Sequence, residues 1–481
     1  MTAAASGPTD HAARPDGRAA TAPPDPDRML DELASGPSVG DLVTDPEVLV
    51  SYRNDQAPAD LVPAGTPAAV VRPRTTAEVQ NAVRAAARHA VPVVPRGAGS
   101  GLSGGANAID GCLVVSLERM TDVLELDAAS LLATVQPGLV NLQLREAAER
   151  EGLFYAPDPA SYEFSTIGGN IATNAGGLCC VRYGVTRDAL LGLEVVLADG
   201  RAVTLGRRAR KGVAGYDLAS LFCGSEGTLG IVTRATMRLI PPPRSAATLA
   251  ASFPTLGSAG EAIAKISRNA IPSVLELMDR TTVRAVEQMA PQDLDDSVAA
   301  LLFARSDLGG EASLRAVEEM ARWCEEAGAT LALTTDEEAE GRMLMAARRL
   351  AYPALERQGA TLLDDVGVPL GKIPALLDGI ERVADRHGVT IGTFGHAGDG
   401  NMHPTIVFDR HDPDSVARAR AAFADLVRVA LELGGTVTGE HGVGLLKRGF
   451  LVEELGDAAA LNHAVKHALD PHGLFNPGKA I

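Results

Sequence analysis

Apolar positions along this chain alternate between two periods. Ala69-Val70-Val71 is a short continuous apolar run. Behind it, Val79, Val83 and Ala87 recur at helical spacing, with Thr76 placed to cap the helix. Val91 to Pro95 reads as a second strand. Leu113 to Ser116, Ala133 to Val135 and Leu193 to Leu197 read as further strands. Pro241-Pro242-Pro243 then interrupts the pattern, because consecutive prolines exclude both helix and central strand. Beyond it the spacing becomes that of charged amphipathic helices at Ala259 to Asn269, Ala312 to Ala327 and Glu337 to Leu350. These alternate with strands such as Ala299 to Phe303, which predicts an α+β domain. A last helix, about Ala458 to Leu469, precedes a Pro/Gly-rich tail, and no internal repeat is visible.

Within the second half, Thr390 to His396 and Met402 to Phe408 are apolar-rich and bound a Gly/Asp/Asn cluster. This predicts a β-hairpin closed by Asp399-Gly400. A two-residue turn there sets His396 opposite His403, with Cβ atoms roughly 5 Å apart. Two imidazoles at that separation suit one metal ion, with Glu440 of Gly439-Glu440-His441-Gly442 as a third ligand. Two nitrogens and one oxygen suit zinc, manganese or iron.

Charge and cysteine content narrow the classes. The net charge of −17 argues against nucleic acid as a partner. The basic run Arg207 to Lys211 is the exception and reads as a solvated loop. Five cysteines without Cys-x-x-Cys spacing argue against a disulfide scaffold or an iron–sulfur cluster, and fit a reducing compartment. No run of about 18 apolar residues is present, so no transmembrane helix is expected. Met1 to about Asp27 is rich in Ala, Pro, Asp and Gly and lacks the apolar core of a secretory signal, so it is expected to be a disordered tail. A cytoplasmic protein is expected.

Three glycine clusters lie in the first half: Arg96 to Ala106, Ser165 to Gly177 and Gly224 to Gly230. The first holds five glycines in eleven residues. Glycine permits positive φ and close approach of backbone N–H groups to an anion, so this loop suits a pyrophosphate. No Gly-Lys-Ser/Thr ends it, and no Rossmann helix with an acidic residue about 20 positions on can be placed.

In their order, Pro95 to Gly105, Ser165 to Gly177 and Gly224 to Ile231 resemble the flavoprotein family of vanillyl-alcohol oxidase and p-cresol methylhydroxylase. His396 to His403, Gly439 to Gly442 and Leu474-Phe475-Asn476-Pro477-Gly478-Lys479 narrow the resemblance to the FAD-linked D-2-hydroxyacid dehydrogenases. These include D-lactate dehydrogenase, D-2-hydroxyglutarate dehydrogenase and the flavin subunit of glycolate oxidase. The resemblance spans about Asp45 to Ile481. It implies an α+β chain: a tail and lead-in over 1–44, a two-subdomain FAD-binding domain over 45–243, and an α+β substrate or cap domain with a metal site over 244–445. A C-terminal helix and tail over 446–481 would return to the flavin.

The resemblance also implies roles. Arg96, Gly97, Ala98, Gly99, Ser100, Gly101, Ser103 and Gly104 would hold the FAD pyrophosphate. Pro157, Asp158, Ser165, Thr166, Gly168, Gly169, Asn174, Gly176 and Gly177 would line the rest of the cofactor. Glu226, Gly230 and Ile231 would meet its adenine-side half, and Asn476 would return from the C-terminal tail. No histidine lies in these clusters, so tight non-covalent FAD is expected. His396, His403 and Glu440 would bind a divalent metal (zinc, manganese or iron). His441 would take the substrate hydroxyl proton. Arg348, before Ala351-Tyr352-Pro353, would bind the substrate carboxylate, with Arg349 as the neighbouring candidate.

Departures from the hydroxyglutarate enzymes bear on the substrate. Leu363 stands where they place a lysine, Tyr352 where they have threonine, and Thr405 where they have asparagine. A small D-2-hydroxy acid such as D-lactate or glycolate is therefore expected, oxidised to the 2-oxo acid. Electrons would leave to a quinone, a cytochrome, oxygen or a partner protein. A homodimer and the flavin subunit of a glycolate oxidase-type complex both remain open. A flavin-dependent transferase resembling alkyl-dihydroxyacetonephosphate synthase is the competing reading, and it does not predict the His396/His403/Glu440 site.

Overall fold

The computed structural model describes residues 23–291 and 294–481. The expected disordered tail lies mostly outside the described residues. Its end runs into a helix at Pro26–Ser35, capped by the Asp25 side chain.

The first sheet has four strands in the order Asp41–Val43, Ala69–Arg72, Leu113–Ser116, Val93–Arg96. The last two pairings are parallel, as a strand–helix–strand crossover requires. The crossover helix spans Thr76–Arg88. Its cap is Thr75 rather than Thr76, because the Thr75 hydroxyl accepts the Glu78 N–H while the Glu78 carboxylate accepts the Thr75 N–H. The sequence signal was a capping pair three apart, and Thr75 is its first member.

A second, antiparallel sheet has five strands: Val123–Asp127, Leu132–Val135, Ile231–Arg238, Leu190–Val196 and Ala202–Gly206, in that spatial order. The basic run follows its last strand and is largely solvated, with Arg208 paired to Glu125. After the triple proline, a larger antiparallel sheet begins at Ala247–Phe253. Its order is Leu331–Thr335, Ala247–Phe253, Ala300–Ser306, Val274–Asp279, Thr390–His396, Asn401–Phe408, Ala360–Leu363, with Val366–Gly367 also pairing to Asn401–Phe408. Helices Leu256–Asn269, Glu311–Glu326, Ile373–His387 and Pro413–Glu432 contribute buried side chains to one large apolar core with this sheet.

The tail after helix Ala458–Leu469 returns to the first sheet. Phe475 bridges Val93, and the Asn476 N–H donates to the Val93 carbonyl at 2.8 Å. The fold is therefore the expected two-subdomain domain plus α+β cap, with the chain end returning beside the glycine loops. All five cysteines are free. Among the described residues, no helix is long and apolar enough to cross a membrane.

Candidate active site

A cavity of about 460 Å³ runs between the glycine loops and the cap. Its walls include Arg96, Gly97, Ala98, Gly99, Ser100, Gly101 and Ser103 from the first loop, and Thr166, Gly168 and Gly169 from the second. Glu226, Gly230 and Ile231 close it, and the cap supplies Arg349, Tyr352, Pro353, Glu440 and His441. The loop geometry requires glycine where it matters. A Cβ on Gly97 would lie 2.5 Å from the Thr166 hydroxyl, and Gly99 has φ of +70° with the Arg96 guanidinium against it. A cavity wall built from these glycines lets a dinucleotide pyrophosphate approach the backbone of the loop.

Other expected cofactor residues lie behind the wall. Asn476 donates its amide to the Gly105 and Glu226 carbonyls, so it ties the first and third loops together. Ser165 accepts from Asn170, and the Pro157 carbonyl accepts from Asn141. Asn174 is the left-handed cap of helix Ile167–Thr173. Gly104 packs on Val62. Asp158 accepts the Cys179 N–H, and burial pushes its carboxyl up to about 6. Gly177 lies against the Asp158 carbonyl. Gly176 faces Glu440, where a Cβ would approach its Oε2 to 2.8 Å.

The hairpin forms at Thr390–His396 and Asn401–Phe408, but its register differs from the two-residue-turn expectation. His396 faces Asn401, and His403 faces Phe394. The His396 carbonyl accepts from both Asp399 and Gly400, at 3.3 and 3.1 Å, so the loop holds four residues. Asp399 also accepts the Asn401 N–H. The two histidines remain diagonal neighbours on one face, with ring centroids 5.1 Å apart.

Three imidazoles converge on one carboxylate oxygen. His396, His403 and His441 Nε2 lie 3.4, 3.3 and 3.5 Å from Glu440 Oε1. The opposite ring nitrogens face carboxylates. His396 Nδ1 is 2.6 Å from Glu276, while His403 and His441 Nδ1 are 3.7 and 3.9 Å from Asp365. His403 and His441 Nδ1 are buried with no hydrogen-bond partner. Glu276, bonded to His396 Nδ1, leaves that ring's Nε2 facing inward, which is how metal-binding histidines are oriented. The donor chemistry therefore fits a divalent cation. Among the described residues, donor atoms of Asp365, His403, Glu440 and His441 all lie within 4.8 Å of one another. Asp365, however, already accepts from Asn401, Thr438 and the N–H groups of Gly439, Glu440 and His441. These bonds make it the frame of the site.

The electrostatics follow from burial opposed by charge. Burial alone would raise Glu440, but His396 and the histidine hydrogen bonds hold it well below the ordinary carboxylate range. Burial would lower His396, yet Glu276 and Glu440 raise it. His403 is pushed down to about 4, chiefly by burial. His441 is raised despite burial, because Asp365 and Glu440 both face it.

Arg348 is buried. Its Nε donates to Glu276 at 2.7 Å, and its guanidinium lies 4.7 Å from the Phe394 ring centre. Arg349 lines the cavity. Sequence reasoning missed Glu276, Asp365 and Lys447. Lys447 is fully buried, 3.1 Å from Asp364, and donates to the Val437 carbonyl. The available signal was charge inside apolar runs: Glu276 in Val-Leu-Glu-Leu-Met, and Asp364-Asp365 after Thr-Leu-Leu.

Residues 67–206 match the FAD binding domain family, and residues 242–480 match the C-terminal domain of the FAD linked oxidases. This chain belongs to the FAD-linked oxidases. The "glycolate oxidase subunit GlcD" of Bacillus subtilis is 43% identical over 416 residues, covering 86% of this chain and 88% of the relative. A "D-lactate dehydrogenase" of Archaeoglobus fulgidus is 35% identical over 435 residues, covering 90% and 95%. The same fold occurs in p-cresol methylhydroxylase, with TM-score 0.77 at 17% identity over 94% of this chain and 96% of that one. Alkyldihydroxyacetonephosphate synthase follows at 0.73 and 19%, over 95% and 86%. The FAD-linked oxidase assignment makes the chain a flavin-dependent oxidoreductase.

Proposed function

We propose that this FAD-linked oxidase oxidises a small D-2-hydroxy acid, of the D-lactate or glycolate type, to the 2-oxo acid. One observation carries the reading. His441 and Glu440 stand in the wall of the flavin cavity and also belong to the histidine cluster. A hydroxyl placed at that seam meets a base and a cation site on one side and the cofactor cradle on the other.

His396, His403 and Glu440 would hold a divalent metal, which when bound supplies Lewis acidity to lower the hydroxyl pKa. FAD, held non-covalently, supplies the acceptor for the C2 hydride. His441 accepts the hydroxyl proton at Nε2 as general base. Asp365 holds the His441 backbone and faces its Nδ1. Arg348, steadied through Nε by Glu276, offers its terminal nitrogens to the substrate carboxylate, while its neighbour Arg349 is the one that lines the cavity.

The walls favour a small acid. The Tyr352 ring stands in the cavity with its hydroxyl 3.1 Å from Thr361. Leu363 pairs with Thr405 across the sheet, so neither position offers a cation to a distal carboxylate. Relatives named as a glycolate oxidase subunit support a second reading, in which this chain passes its electrons within a larger complex. Either way, replacing His441 tests the chemistry. With an artificial electron acceptor, His441→Ala is expected to retain FAD and lose turnover by about 10²–10⁴-fold. Near-normal turnover would remove His441 as the base.

A further inference from the structure

A second cavity, of about 420 Å³, reaches the same histidine cluster past Gly176 and Gly177, at the end of the second glycine loop. It lies between Gly176, Cys180 and Val185 of the FAD-binding domain and Val368, Asp399 and Thr436 of the cap. His396 and Glu440 stand at its inner wall. Glu440 thus separates two cavities, with His396 lining only this one and His441 only the flavin-side one.

The two cavities differ in charge. The second carries the carboxylates of Asp399 and Glu440 and no lysine or arginine among its lining residues. The flavin-side cavity carries Arg96 and Arg349 beside the carboxylates of Asp55, Glu226 and Glu440. An acidic, low-dielectric channel concentrates cations and repels a hydroxy-acid anion. FAD held in the flavin-side cavity would occupy the approach that passes His441, so a cation reaching Glu440 in the loaded enzyme would need a separate route. Gly176 lines this cavity beside Glu440, where a Cβ would lie 2.8 Å from its Oε2.

We propose that this second cavity is the path by which the divalent cation enters and leaves the His396/His403/Glu440 site while FAD stays bound. The proposal rests on reading that cluster as a metal site. It gives each cavity one cargo: the organic acid on the arginine-bearing side, the cation on the side lined by carboxylates without lysine or arginine.

The test uses the FAD-loaded full chain charged with zinc. Release into excess chelator and reloading by added Zn²⁺ are followed with a zinc-sensitive dye. Val185→Phe narrows the path at a half-buried position whose N–H is held by Asp188. It is expected to slow loading and release together by at least several-fold, with final zinc content and flavin spectrum unchanged. Asp399→Asn keeps the shape and removes the charge, and is expected to slow loading several-fold and flatten its salt dependence. If both variants bind one zinc and exchange it at the wild-type rate, the route is overturned. Exchange that becomes measurable only after FAD is stripped overturns it as well. A wild-type protein that takes up no zinc, manganese or iron overturns the metal reading, and the route with it.

Discussion

Asp365 Oδ2 accepts the backbone N–H of His441 at 2.8 Å. The same oxygen accepts from Gly439 at 3.1 Å, Glu440 at 3.0 Å and the Thr438 hydroxyl at 2.7 Å. One fully buried carboxylate thereby sets the path of the chain that carries both Glu440 and His441, the proposed metal ligand and the proposed base. Burial would raise its pKa, but His441, Lys447 and His403 outweigh that and hold it well below the ordinary carboxylate range. Lys447 stands 3.8 Å away and completes the charge balance.

Asp365→Asn should therefore damage more than stability. An amide nitrogen cannot accept these N–H groups, and Lys447 keeps only Asp364 as a buried counter-charge. Breaking a buried pair typically costs about 3–5 kcal/mol. We expect a lower urea midpoint together with reduced bound metal at temperatures where the variant is still folded. Wild-type metal content in the folded variant would show that Asp365 does not frame the ligands.

Arg348 and Arg349 are separable by substrate kinetics. Losing a charge-assisted carboxylate contact costs ~2 kcal/mol, or roughly thirtyfold in kcat/KM. Arg348→Lys is expected to show that loss mainly through KM, with Arg349→Lys milder. The reverse order would assign the carboxylate to Arg349, the residue that lines the cavity.

Glu226 predicts a pH dependence. Its carboxyl is pushed from 4.5 up to about 7, chiefly by burial, although the Val443 and Gly444 N–H groups pull it down. Between those values the unfolded chain has released its proton and the folded chain still holds it. Stability therefore falls as pH rises through that window and is level above it, by ~3 kcal/mol in all. Asp158 and Asp279, each pushed up to about 6, add to the same slope. Urea denaturation from pH 4.5 to 7 should give a shallower decline for Glu226→Gln at equal FAD content. An unchanged slope would contradict the assignment.

Much of this was legible in the chain because it depends on local pattern. Helix Ala458–Leu469 and strand Leu113–Ser116 lie where periodicity puts them. The glycine loops declare themselves because only glycine tolerates their close approaches. The hairpin was legible but its register was not, because Asp399 bonds to Asn401 and enlarges the loop by two residues. Glu276 and Asp365 were not legible as site residues. They reach the histidines through sheet neighbours distant in sequence: Glu276 is 120 residues from His396, and Asp365 is 76 from His441. Their roles emerge only from strand order. The sequence also did not separate Arg348 from Arg349, since adjacent helix positions point to different sides and only packing decides which is buried.

The most direct test is anaerobic mixing of the metal-replete, FAD-loaded protein with D- and L-2-hydroxy acids, watching the visible flavin band. The account predicts bleaching by D-lactate or glycolate and none by L-lactate or D-2-hydroxyglutarate. A flavin that no 2-hydroxy acid bleaches, or that D-2-hydroxyglutarate bleaches best, would contradict it.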